Sequence, residues 1–167
     1  MVVKSVDTNI LVRYYAQDDA QQSPIALRLF RDEPELFVTK TVLLEFFWVL
    51  TQAEKFRFSP EQVMTVFEHL QGLPNVVIED ELSLRTAITG CRAGLEFPDA
   101  LHLAASAACS AFLTFDDRKF ARRAHNVIIC FLFVKFLRNL ADLTISDDLT
   151  VLWANLSITT SKAKAKV

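Results

Sequence analysis

Short apolar runs alternate with longer stretches of helical spacing through the first two thirds of the chain. Residues 2–6 form a β-branched run that meets Asp7-Thr8-Asn9, and 9–15 then has helical spacing. The first carboxylate therefore stands where a strand gives way to a helix. Ser23-Pro24 predicts a second helix start, with Ser as cap and Pro in the first position, where a missing N–H is harmless. Residues 36–39 predict a second strand, and from 41 to about 54 the apolar residues come too densely for a surface helix, which predicts one buried on most sides. Ser59-Pro60-Glu61-Gln62 starts a further helix, with Gln62 placed to close a capping box on Ser59.

Residues 76–78 predict a third strand, followed by a helix over 81–92 and a turn near Gly94. Pro98-Asp99 opens an Ala-rich helix running to about Cys109; 111–114 is then strand, Asp116-Asp117 opens the next helix, and 127–134 is the expected last strand. Alternating short apolar strands and helices predict an α/β fold, an α/β/α sandwich around a central, mostly parallel sheet, because strands without polar alternation suit burial on both faces. One domain is expected over 1–134 and an atypical C-terminal extension over 135–167, whose end, 159–167, alternates Lys with Ala and is expected to be a mobile tail.

With 167 residues, 51% hydrophobic and 23% charged, the chain can bury a large core, and disorder throughout is excluded. Glycine occurs only at 72, 90 and 94, which leaves no Gly-rich nucleotide cradle of the G-x-G-x-x-G or G-x-x-x-x-G-K kind. Lys and Arg number 18 against 20 Asp and Glu, a net charge of −2, which argues against a generally basic nucleic-acid coat protein and leaves room for a local basic patch. Cys91, Cys109 and Cys130 are odd in number and lack C-x-x-C spacing, so a disulfide framework and a zinc knuckle are both disfavoured and a reducing cytoplasm fits best. Residues 1–7 lack the make-up of a signal peptide, and 127–134 is far short of the ~20 apolar residues that span a bilayer. A soluble, cytoplasmic protein without membrane partners is expected.

Ligands of open α/β sheets bind beyond the carboxyl ends of strands, and Asp7 and Asp116 both stand at such ends. Either alone is equally well read as a helix cap. Glu45 lies in Val42-Leu43-Leu44-Glu45-Phe46-Phe47-Trp48-Val49-Leu50 with no Lys or Arg within four residues. A buried, unpaired carboxylate would cost several kcal/mol, so Glu45 either lies on a narrow solvated stripe or faces a bound cation. Asp99, after Pro98, is an ordinary first-turn acid when taken alone. Together the four carboxylates form a hard oxygen set suited to Mg²⁺ or Mn²⁺ rather than Zn²⁺. Such an ion can lower the pKa of an attacking water and neutralise charge on a scissile phosphate, which suits phosphodiester hydrolysis. Arg118, Lys119, Arg122 and Arg123, with Lys135 and Arg138, form a run without acids that could contact RNA phosphates or be a solvated helix face. His102 is read as structural in preference to substrate-binding, and His69 and His125 have no Ser or Cys partner in a G-x-S-x-G context.

Val6-Asp7-Thr8-Asn9-Ile10-Leu11-Val12-Arg13-Tyr14, Glu45 in its apolar helix, Pro98-Asp99-Ala100-Leu101-His102-Leu103-Ala104-Ala105 and Leu113-Thr114-Phe115-Asp116 resemble PIN-domain ribonucleases, specifically VapC-type toxins of bacterial toxin–antitoxin pairs. The resemblance covers about residues 2–125. It implies a parallel-sheet α/β/α fold and Mg²⁺- or Mn²⁺-dependent endonucleolytic cleavage of RNA. By motif, Asp7, Glu45, Asp99 and Asp116 would be the acidic quartet that holds the metal and does the chemistry, with Asn9 and Thr114 as supporting polar groups. It also implies a homodimer and inhibition by a small VapB-type antitoxin. Two departures stand out: Asp117 duplicates the fourth acid, and the chain continues to Val167 where such proteins usually end soon after the last short strand.

Two other readings compete. Haloacid-dehalogenase-like phosphatases want a second Asp two residues after the first, where Asn9 stands, and receiver domains want an acidic pair ahead of the phosphorylated Asp. A catalytically silent RNA- or partner-binding module would keep the acids without turnover.

Overall fold

The computed structural model describes residues 3–109 and 111–115, and the backbone of 133–136. Lys4–Ser5 (β1), Leu36–Val38 (β2) and Val76–Ile78 (β3) form a parallel sheet in the order β1-β2-β3, with Leu36 opposite both Lys4 and Val76. Ala111–Thr114 (β4) pairs in parallel with Phe133–Phe136 (β5), Ala111 facing Phe133 across the ladder. Among the described residues the helices are Thr8–Ala16 (α1), Gln22–Asp32 (α2), Lys40–Gln52 (α3), Pro60–Gly72 (α4), Glu81–Arg92 (α5) and Phe97–Ala105 (α6). Strand and helix alternate through the sheet as expected, and the fold is the α/β/α arrangement around parallel strands.

Capping side chains set most of the helix starts. The Asp7 carboxylate accepts from the Ile10 N–H, Thr39 Oγ1 from Val42, and Asp80 Oδ1 from Ser83, while Ser59 and Gln62 exchange both bonds of a capping box. Each satisfies a backbone N–H that the first turn leaves without a helical partner. Asp7, Thr39 and Asp80 all stand just past the last residue of a strand, so polar groups collect along one edge of the sheet.

Two boundaries differ from the sequence expectation. The second helix begins at Gln22 rather than at Pro24, because Asp19 Oδ1 takes the N–H groups of Gln21 and Gln22 while the Ser23 hydroxyl turns inward, buried, to accept from the Asp19 N–H. Asp19 does the work assigned to Ser23. The Ala-rich helix stops at Ala105, four residues early; Ala105, Ala107 and Ala108 are exposed and bury no apolar face to extend it. Of the strand expected over 127–134, residues 127–132 lie outside the described residues, and the strand described there runs Phe133–Phe136. The expected helix after Asp116 and the tail at 159–167 lie outside the described residues.

The core joins Leu11 and Val12 of α1, Leu36 and Val38 of β2, and the buried faces of α3, α4, α5 and α6 into one cluster. Its centre is aromatic. Phe97 packs against Phe67 with ring centroids 4.8 Å apart and against Phe47 at 5.0 Å, and Phe67 in turn meets Phe46 at 6.1 Å. Rings at these separations add to the area they bury. The backbone between α3 and α4 is anchored elsewhere, by Asp18. Its Oδ2 accepts from Arg13 Nη1 and from Lys55 Nζ, both at 2.5 Å, and its side chain is only 7% exposed, so the end of α1 is tied to the segment after α3. Asn75 Nδ2 closes α2 against the entry to β3 by donating to the Phe30 and Glu33 carbonyls, each at 2.9 Å.

The hydrogen bond from Lys55, helped by Arg13 and opposed by burial, holds the Asp18 carboxyl below the usual carboxylate range. A carboxyl depressed in the folded state contributes stability above its unfolded pKa of about 4, and that contribution is lost as pH falls toward the folded value. Asp18→Asn is therefore expected to melt roughly 3–6 °C lower than the parent at pH 7. In a series of melts by circular dichroism the gap should close below about pH 4.

Candidate active site

Asp7 ends the segment leaving β1 and caps α1. Its backbone is extended, at φ −93° and ψ 174°, and Oδ1 accepts from the Ile10 N–H at 3.0 Å. The cap is thus real, and it leaves the second carboxylate oxygen without a hydrogen bond among the described residues. The side chain is exposed, as is that of Asn9. Both line a cleft of about 200 Å³ shared with Ile10, Arg13, Gln22 and Ile25. Arg13 brings little free positive charge there, since its guanidinium bonds Gln22 Oε1 and Asp18.

Glu45 stands on the exposed side of its helix. Leu43, Phe46, Phe47 and Leu50 are buried, whereas Thr41, Glu45 and Trp48 form an exposed stripe along α3. Glu45 lies on that solvated stripe and makes no ion pair among the described residues. It is nevertheless held in place, because the Thr8 hydroxyl donates to its Oε2 at 2.6 Å. Thr8 is only 5% exposed and directly follows Asp7, so the bond brings the carboxylate of α3 to the Asp7 turn. Sequence reasoning passed over Thr8. The available signal was a hydroxyl residue flanked by Asp7 and an apolar helix, at a position whose side chain turns inward.

Asp99 is half-buried in the first turn of α6, following Phe97 and Pro98. The tilted packing of Phe97 on Phe47 holds this helix against α3 two residues from Glu45. Thr114 ends β4, half-buried. His102, read as structural, is exposed, and His69 Nδ1 lies 2.9 Å from the Tyr15 hydroxyl. Asp116 and Asp117, together with Arg118, Lys119, Arg122 and Arg123, lie outside the described residues.

The donor set suits a hard divalent ion: carboxylate oxygens, with Asp7 and Glu45 each using one oxygen internally and keeping the other. Among the described residues, no group of three or more His, Cys, Asp or Glu side chains could hold a metal ion. Asp7, Glu45 and Asp99 therefore do not by themselves make such a group.

A parallel α/β fold with Asp7 and Asp80 just past the ends of its strands has the edge at which such sheets take their ligands. The PIN domain family matches residues 4–126, about three quarters of the chain, and the chain belongs to it. PIN domains are generally nucleases acting on nucleic acid, and they typically bind divalent metals. The chain matches no curated protein. Among the described residues no helix is long and apolar enough to cross a membrane.

Removing the Thr8 hydroxyl without changing its shape should leave the Glu45 carboxylate unheld. Thr8→Val is expected to lose about 1 kcal/mol of unfolding free energy in urea titrations, and Thr8→Ser to keep most of it. Equal stability of Thr8→Val and the parent would show that the bond contributes nothing.

Proposed function

We propose that the chain is a Mg²⁺- or Mn²⁺-dependent endoribonuclease that hydrolyses RNA phosphodiester bonds, and that it is the toxin of a toxin–antitoxin pair. The bond from Thr8 to Glu45 supports this reading, since it ties Glu45 to the residue that follows Asp7, 37 positions away in the chain. Asp7, Glu45, Asp99 and Asp116 would hold the ion. When bound, that ion would lower the pKa of a water and offset charge on the scissile phosphate.

The chain's own groups do the positioning. The Ile10 N–H holds one oxygen of Asp7 and the Thr8 hydroxyl one oxygen of Glu45, while the second oxygen of each makes no hydrogen bond among the described residues. With the carboxylate geometry set before substrate arrives, no reorganisation is needed during the reaction. A carboxylate oxygen left open in this way can also take the proton of the attacking water. Arg118, Lys119, Arg122 and Arg123 would bind phosphates beside the acids, giving salt-sensitive affinity with little sequence preference. The toxin role rests on the order and spacing of the four motifs, and it brings with it a homodimer and a VapB-type antitoxin as partners.

The test uses purified chain, freed of contaminating nucleases and antitoxin, on a panel of structured RNAs. Cleavage is expected with Mg²⁺ or Mn²⁺ and not with EDTA. Asp7→Asn, Glu45→Gln and Asp99→Asn should each lower the rate by about a hundredfold or more with an unchanged circular dichroism spectrum. Equal cleavage in EDTA and Mg²⁺ would overturn the mechanism, and RNA retention without turnover in saturating Mn²⁺ would favour a silent binding module.

A further inference from the structure

We propose that Asp18 is a positioning residue for the candidate site: by holding the Arg13 guanidinium it keeps that charge off Asp7 and leaves the open carboxylate oxygen of Asp7 to a divalent cation. The inference rests on the nuclease reading for its cation and on separate observations for the competition between Asp7 and Asp18.

Asp7, Ile10 and Arg13 recur every third residue at the start of the chain and line one cleft of about 200 Å³, together with Gln22 and Ile25 of α2. Six residues of helix rise about 9 Å, and side chains on a helix lean toward its N-terminus, so the long side chain of Arg13 can reach the cap at Asp7. Asp7 keeps one oxygen without a hydrogen bond among the described residues. An arginine beside such an oxygen ordinarily pairs with it. Arg13 pairs elsewhere: its Nε donates to Gln22 Oε1 at 2.9 Å and its Nη1 to Asp18 Oδ2 at 2.5 Å. Asp7 caps the first turn of α1 and Asp18 follows its last, so the two carboxylates compete for one guanidinium from opposite ends of the helix.

The turn after α1 is built around Asp18. Gln17 takes a left-handed backbone at φ 50°, which side chains other than glycine's rarely adopt, and its Nε2 donates to the Arg13 and Tyr14 carbonyls at 3.0 and 2.8 Å. That closes α1 and brings the next residue back to Arg13. Asp18 Oδ2 also accepts from Lys55 Nζ, while Oδ1 is buried and has no hydrogen-bond partner among the described residues. A bidentate pair with Arg13 would satisfy both oxygens and is the stronger arrangement. The guanidinium is instead divided between Asp18 and Gln22, which fixes its direction and leaves Oδ1 without a bond. An unpartnered buried oxygen is destabilising, so stability alone does not call for this division. Holding the guanidinium turned from Asp7 does. Lys55 does not line the cleft, so its charge stays out of the competition. Charge-assisted hydrogen bonds are roughly twice as strong as neutral ones, so with a neutral amide at position 18 Asp7 becomes the better acceptor for Arg13.

The experiment titrates Mn²⁺ alone, by calorimetry without RNA, into the full chain and its variants at neutral pH. The parent should bind, and Asp18→Asn should bind about tenfold more weakly, the loss typical when a group that orients a metal ligand is removed. Arg13→Gln should bind like the parent, and Asp18→Asn combined with Arg13→Gln should return to within about twofold of it, since the competing guanidinium is gone. Lys55→Met takes the other cation from Asp18 and loosens the same turn, yet should leave Mn²⁺ affinity unchanged. A double variant as weak as Asp18→Asn would overturn the inference, as would equal weakening in Lys55→Met, because loosening of the turn would then suffice. Unaltered affinity in Asp18→Asn alongside Mg²⁺-dependent cleavage by the parent overturns this inference alone. A parent that neither binds Mn²⁺ nor cleaves RNA overturns the nuclease reading and this inference with it.

Discussion

The packing of Phe97 against Phe47 is the contact that sets the spacing of the two helices carrying candidate acids. Each ring belongs to a helix that carries a candidate acid, Glu45 two residues before Phe47 and Asp99 two residues after Phe97. Phe67 of α4 packs on Phe97 from another direction, at 4.8 Å, so the ring is gripped by two helices at once. Interiors packed to crystal-like density do not slide continuously. The distance between the two acid-bearing helices is therefore a property of the core, and the acids inherit their placement from residues that never meet solvent.

The polar side of the site is built differently, from caps. A helix that begins just past a strand has N–H groups in need of acceptors, and a carboxylate or hydroxyl there satisfies them at the edge where parallel sheets bind ligands. Asp7 meets the structural need with one oxygen and keeps the other outward. Capping thus leaves room for a further role of this residue, because a carboxylate has two oxygens and the cap uses one. Thr8 extends the principle across the fold by reaching to Glu45 from the first helical position.

Legibility of the sequence tracked how local each determinant is. The capping box at Ser59 and Gln62 and the strand at Val76–Ile78 were readable because their causes lie within a few residues. The start of α2 was misread because two capping residues compete there, and only the burial of Ser23 decides that Asp19 takes the N–H groups. Glu45 was visible as an anomaly, a carboxylate in an apolar run, yet periodicity alone could not say whether it faced water. That depended on α3 exposing only a narrow stripe, which is a fact about α1, α4 and α6 packing on it. Thr8 and Asp18 escaped for the same reason, since their roles arise from partners distant in sequence.

The exposure of Glu45 bears on how the acids can work. A carboxylate sealed in the core without a cation would protonate rather than carry charge. On the solvated stripe it stays hydrated, and binding of the proposed ion would confine its desolvation to the moment of binding. The Thr8 bond then limits the orientations that the side chain samples, which reduces the entropy lost when the site fills. Solvent access and orientation are usually opposed in a long side chain. Here they are reconciled by placing the anchor, Thr8, in the core and the anchored group at the surface.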